Sequence, residues 1–175
     1  MKAAYTAFIT IGTGNMLNVR ILCVGKLKER YYADAANEYI KRLTGYCKPE
    51  VIEIPEHRLP TEPSDAQVLI ALEKEYSAIH ACLPSNAFIV ALCIEGRETD
   101  SKGLSEMLSG CTVRGVSRVC FVIGGSFGLH DEFKAAANAR LSLSKMTFPH
   151  TLARVVLLEQ IYRAFKIAEG GKYHK

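Results

Sequence analysis

The sequence predicts an α/β fold built on a largely parallel sheet. Short β-branched and apolar runs alternate along the chain with longer stretches of helical periodicity, the pattern that βαβ units produce. The 175 residues, 49% hydrophobic and 23% charged, suit one domain with a sizeable core. No apolar run approaches the roughly 20 residues that span a bilayer.

Strands are expected at residues 19–24, 51–54, 88–94 and 119–123, with a shorter one near 141–143. Helices fill the gaps. Residues 31–43 place Tyr32, Ala35, Ala36, Tyr39 and Leu43 on one face. Residues 55–63 contain three prolines and read as a loop. Ser64 or Asp65 then caps a helix running to about His80, with Val68, Leu69 and Leu72 inward. Ser101 caps another helix through Leu108, ended by Gly110. A short polar helix follows residue 128, and a last helix runs from about Thr151 to Ala168. That helix carries two apolar stripes, Leu152, Val155 and Val156 on one and Leu158, Ile161, Tyr162 and Phe165 on the other. A surface helix needs only one. A second copy of the chain and complete burial each account for two. No internal repeat or domain-scale linker interrupts the series.

Charge is unevenly distributed. Residues 134–175 carry eight Lys/Arg against two Glu, whereas the other 133 residues carry fourteen basic against sixteen acidic side chains. Such segregation suits a polyanionic partner, and equally a solvated helix face. The six cysteines have long, irregular gaps and no Cys-x-x-Cys pair, and the histidines do not gather near them. They read as reduced core residues of a cytoplasmic protein, and no metal site is expected.

The chemistry-bearing segments lie at predicted strand ends. Gly124-Gly125-Ser126-Phe127-Gly128 follows a strand, where glycines permit close approach of a ligand. The spacing is not the dinucleotide fingerprint, and no Gly-Lys-Ser/Thr follows to make a P-loop. Taken with Glu95-Gly96-Arg97 and residues 143–148, the loop outlines a pocket beyond the carboxyl ends of strands. Arg154 stands in the first turn of the last helix, a poor place for a cation on dipole grounds, which favours a functional role. His174 can exchange a proton near neutral pH, and Tyr173 can stack on a base or donate to a carbonyl. Both are also ordinary residues of a terminus. His150 precedes the last helix and can position its loop; His57, His80 and His130 show no partner pattern.

The ordered set of residues 119–128, Leu143-Ser144-Lys145-Met146-Thr147-Phe148, Pro149-His150-Thr151-Leu152-Ala153-Arg154, Glu159-Gln160-Ile161-Tyr162-Arg163-Ala164 and Lys172-Tyr173-His174-Lys175 resembles the ribosomal RNA large subunit methyltransferase H family of the SPOUT superfamily. Val24-Gly25-Lys26-Leu27-Lys28-Glu29-Arg30-Tyr31-Tyr32 continues the likeness, which covers nearly the whole chain from Met16. The resemblance implies a single SPOUT-type domain over 16–175, with a parallel sheet flanked by helices and a carboxyl-terminal trefoil knot. Residues 1–15, which only loosely imitate a signal peptide, then read as an upstream extension or a misassigned start.

The resemblance also implies S-adenosyl-L-methionine as cofactor, held by Leu92, Gly124, Leu143, Ser144, Lys145, Met146, Thr147 and Phe148. The implied activity is methylation of N3 of a pseudouridine, conventionally numbered 1915, in the 23S rRNA of the assembled ribosome. A homodimer is implied as well, with Arg154, Tyr173 and His174 as catalytic candidates. Two other readings remain: an NAD-dependent oxidoreductase, which the missing fingerprint disfavours, and a non-enzymatic ribosome-binding protein, which the intact glycine and 143–148 loops disfavour.

Overall fold

The computed structural model describes residues 16–170. Ten elements alternate along it: β1 (Asn18–Val24), α1 (Arg30–Leu43), β2 (Lys48–Ile54), α2 (Asp65–Cys82), β3 (Phe88–Glu98), α3 (Ser101–Val113), β4 (Arg118–Ile123), α4 (Asp131–Ala136), β5 (Ala139–Ser142) and α5 (His150–Ala168). The five strands form one sheet in the order β2-β1-β4-β3-β5, every neighbouring pair parallel. Parallel pairing follows from the helical crossover between consecutive strands. All five strands therefore end at the same edge of the sheet.

Alternation along the central strands divides the core in two. Val19, Ile21 and Cys23 of β1 and Val119, Phe121 and Ile123 of β4 face α1, α3 and α5, where Leu43, Leu104, Leu108, Leu157, Ile161 and Phe165 complete the larger cluster. Leu22, Val24, Cys120 and Val122 face the other way, against Ile79 of α2 and Phe133 of α4. Both faces of the sheet are covered, which is why β4 after Arg118 and β1 after Arg20 read as continuous apolar runs. All six cysteines are unpaired, and Cys23, Cys47, Cys111 and Cys120 are buried in these layers. Among the described residues no helix is long and apolar enough to cross a membrane.

Several boundaries differ from expectation for identifiable reasons. β2 begins at Lys48, three residues early, because the sheet pairs Pro49 with Val19 despite its missing donor. α2 does start from Ser64, with a reciprocal capping box to Gln67, but Leu69 faces solvent at 50% exposure. Its buried positions are Ala71, Glu75 and Ile79. A carboxylate in that stripe, accepting from the His57 amide at 2.9 Å, hid the inward face from a count of apolar residues.

The cap of α3 is Asp100, whose carboxylate accepts from the Gly103 amide at 2.7 Å. Ser101 instead donates to Gln160 of α5 at 2.7 Å. Gly110 lies inside α3; the helix ends at Val113, and Gly115 takes the positive φ beyond it. Glu95-Gly96-Arg97, expected as a loop, belongs to β3. Its register against β5 shifts between Leu92 and Arg97, both of which face Leu141, so residues 93–96 bulge out of the ladder. β5 itself ends at Ser142, leaving Leu143 to the following loop.

Candidate cofactor pocket and active site

The β3 bulge, the loop after β4 and the loop after β5 enclose a cavity of about 850 Å³ at the carboxyl edge of the sheet. Its size lies within the roughly 300–1,000 Å³ of small-molecule and cofactor sites. Leu92, Gly124, Leu143, Ser144, Met146, Thr147 and Phe148 all line it, so three segments widely separated in sequence meet at one place. Lys145 belongs to the same loop but is exposed and does not line the cavity. Ile94, Phe127 and Met146 leave large apolar surfaces bare at its mouth.

The glycine loop is shaped by close backbone contact. Gly125 and Gly128 pair across a tight turn, with the Gly128 amide donating to the Gly125 carbonyl at 3.1 Å. A Cβ on Gly124 would strike the Gly128 carbonyl, so no other residue fits without moving the turn. Outside the turn, Glu56 accepts from the Ser126 hydroxyl at 2.8 Å and from its amide at 3.3 Å. The Ser126 hydroxyl, more than any other group, holds the Glu56 carboxyl below the usual carboxylate range. Nothing in the sequence marked Glu56, which sits in the proline-rich loop and meets Ser126 only through the fold.

Charged groups are few in the cavity. Lys134 of α4 reaches Glu95 on the bulge at 2.5 Å and Asp131 at 2.7 Å. Hydrogen bonding to this ammonium keeps the Glu95 carboxyl below its ordinary range. Glu95 is therefore an organised rim carboxylate, not a freely solvated strand end. His150 also lines the cavity. His130 caps α4 and stacks on Tyr76 at 5.4 Å between centroids, a structural role.

Arg154 is 1% exposed and lies beneath the pocket wall. Its guanidinium donates to Glu53 of β2 at 2.6 Å and to the Gly25 carbonyl at 2.9 Å. Burial alone would raise the Glu53 carboxyl, but the Leu27 amide and Arg154 outweigh it and hold it below the ordinary range. Glu53 thus explains a cation near the start of α5, where Arg154 is the fifth residue. Among the described residues, Arg154 Nε is the one buried side-chain nitrogen or oxygen without a partner. Tyr173 and His174 lie outside the described residues, as do residues 1–15.

The fold agrees with those of similar proteins. The family described as predicted SPOUT methyltransferase matches residues 17–174, which gives the class of this chain. The crystal structure of a probable methyltransferase from Bordetella pertussis Tohama I shares the fold, with a TM-score of 0.50 at 15% identity over 94% of this chain and 99% of that one. Ribosomal RNA large subunit methyltransferase H from Streptococcus pyogenes serotype M12 (strain MGAS2096) is 46% identical over 159 residues, 91% of this chain and all of the relative. Its counterpart from serotype M1 is equally similar. The chain belongs to the ribosomal RNA large subunit methyltransferase H family.

Proposed function

We propose that this chain methylates N3 of pseudouridine 1915 in 23S rRNA of the assembled ribosome, using S-adenosyl-L-methionine, and that it does so as a homodimer in the cytoplasm. The observation that carries the reading is the convergence of the β3 bulge, the glycine loop and the 143–148 loop on one cavity, in a chain 46% identical to proteins named ribosomal RNA large subunit methyltransferase H. The trefoil threading of the carboxyl-terminal segment is part of the same proposal, supported by family membership.

The pocket suits the cofactor chemically. Leu92, Leu143, Met146 and Phe148 supply apolar surface for a purine, and Glu95 with Lys134 supplies polar partners for ribose hydroxyls or an amino-acid end. When bound, the cofactor provides an activated methyl electrophile. The protein's tasks are to hold the acceptor in line and to take up the N3 proton as the N–C bond forms. His174 is proposed as the base and Tyr173 as a stacking or carbonyl-donating partner. Arg154, ion-paired within the fold, contributes by positioning the elements around the pocket. Leu152, Val155 and Val156 of α5 are only partly buried, Val155 against the core, and the surface they leave bare is offered to a second copy. Six unpaired thiols accord with a reducing compartment.

The test is methyl transfer from labelled S-adenosyl-L-methionine to ribosomes lacking the modification, read by nucleoside mass analysis. A 3-methylpseudouridine product in large-subunit RNA is expected. Cofactor binding with no RNA product refutes the substrate assignment, and full activity in His174→Ala refutes the base.

A further inference from the structure

We infer that residues 25–32, the β1–α1 loop together with the first turn of α1, are a rigid platform that contacts RNA phosphates and a base beside the methyl-transfer pocket. The inference rests on the RNA substrate proposed above and names the surface that meets it.

Position comes first. β1 and β4 are parallel neighbours paired through Cys23 and Ile123, so the chain leaves both strands side by side at the pocket edge. Gly25, at φ +92°, packs against the pocket residue His150; a Cβ there would lie 2.7 Å from Nε2. Glu56, which grips the glycine loop through Ser126, is close enough to feel Lys28. The segment therefore borders the place where an RNA base must enter.

The segment is also fixed. The Gly25 amide donates to the Ile54 carbonyl at 2.9 Å, and the Gly25 carbonyl accepts from Arg154 at 2.9 Å. The Leu27 amide donates to Glu53 at 3.0 Å while its side chain packs against the core. With residues 25 and 27 tied down, Lys26 and Lys28 project into solvent on either side. The buried Arg154–Glu53 pair is thus a clamp on this platform.

Its chemistry suits RNA. In the basic carboxyl-terminal third, Lys134, Arg154, Arg163 and Lys166 are each held by carboxylates of the fold. Lys26 and Lys28 form no ion pair with a described residue, and Arg30 only a loose, exposed one with Asp34 at 3.6 Å. Arg140 and Lys145 of that third are likewise exposed and without an ion pair among the described residues, but Lys26, Lys28 and Arg30 place three available cations within five residues of one short segment. Beside it Tyr31 is 65% exposed, its ring 4.5 Å from that of Tyr32. Cations for the backbone and an uncovered aromatic face for a base are the combination that unpaired RNA recognition uses.

The experiment measures binding of the intact protein to ribosomal particles lacking the modification, across a salt series, together with the Kd for S-adenosyl-L-methionine. The variants are the triple Lys26→Gln/Lys28→Gln/Arg30→Gln, Tyr31→Ala, and a matched control, Lys41→Gln/Lys48→Gln/Arg114→Gln, at the amino edge of the sheet. Loss of three phosphate contacts should lower the slope of log Kd against log salt by about 2. Tyr31→Ala should weaken binding on the order of ten-fold with the slope unchanged. Cofactor affinity should stay at the wild-type value throughout, and the control should bind ribosomes normally. Unchanged ribosome affinity and slope in the platform triple overturns the inference alone. Equal loss in both triples also overturns it, because total charge would then set affinity. A wild-type chain that binds no ribosomal particle removes the proposed function and this surface together.

Discussion

Removing Arg154 tests whether this residue holds the fold together or acts on the RNA. Arg154→Met keeps much of the apolar stem but deletes the bonds to Glu53 and to the Gly25 carbonyl. Gly25 is buried, so its carbonyl loses its arginine donor, at a cost of about 1–3 kcal/mol. Glu53 is about one-third exposed and keeps the Leu27 amide, so its charge is partly rescued by water. The total should be about 2–3 kcal/mol. Glu53→Gln is the harsher change, because it leaves a guanidinium 1% exposed without its counter-charge, at about 3–5 kcal/mol. Urea unfolding should show the midpoint falling in both variants with the m-value preserved, and falling further in Glu53→Gln. Melting temperatures should drop by roughly 4–12 °C for Arg154→Met and by more for its partner. Residual methyl transfer should fall in step with the folded, cofactor-competent fraction. An Arg154→Met protein as stable as wild type but devoid of methyl transfer would refute the clamp and return Arg154 to direct contact with RNA.

Gly124→Ala should weaken cofactor binding by at least ten-fold and lower the melting temperature, because the added methyl meets the Gly128 backbone; calorimetric titration checks the first and a thermal scan the second. The depressed Glu56 carboxyl contributes stability that is present above its ordinary value near 4.5 and is lost as pH falls through the lower folded-state value. Ser126→Ala should therefore flatten the acid limb of a melting-temperature profile while weakening cofactor binding only a few-fold. Cys23, Cys47 and Cys120, pushed up to about 12 by burial, should resist alkylation in the native protein. Half-buried Cys93 lines the pocket and should be the thiol that added S-adenosyl-L-methionine protects, as peptide mapping would show.

The sequence by itself determined the class of fold and most of its elements. β1 and β4 were legible because both faces of a central parallel strand are buried, which favours apolar runs such as Ile21–Val24 and Val119–Ile123. The glycine loop and the 143–148 loop were legible as pocket walls because strand ends of a parallel sheet share one edge. Other features depended on partners distant in sequence. Glu95-Gly96-Arg97 looked like a loop, and only pairing with β5 makes it a bulged strand. Arg154 looked misplaced on its helix, since the compensating charge, Glu53, lies 101 residues away. The basic bias of the last third suggested an RNA face there, yet several of its cations are satisfied inside the fold. Local pattern encodes periodicity and turns, which depend on neighbours in the chain. The tertiary structure alone decides which charges meet, and so which are left for a partner.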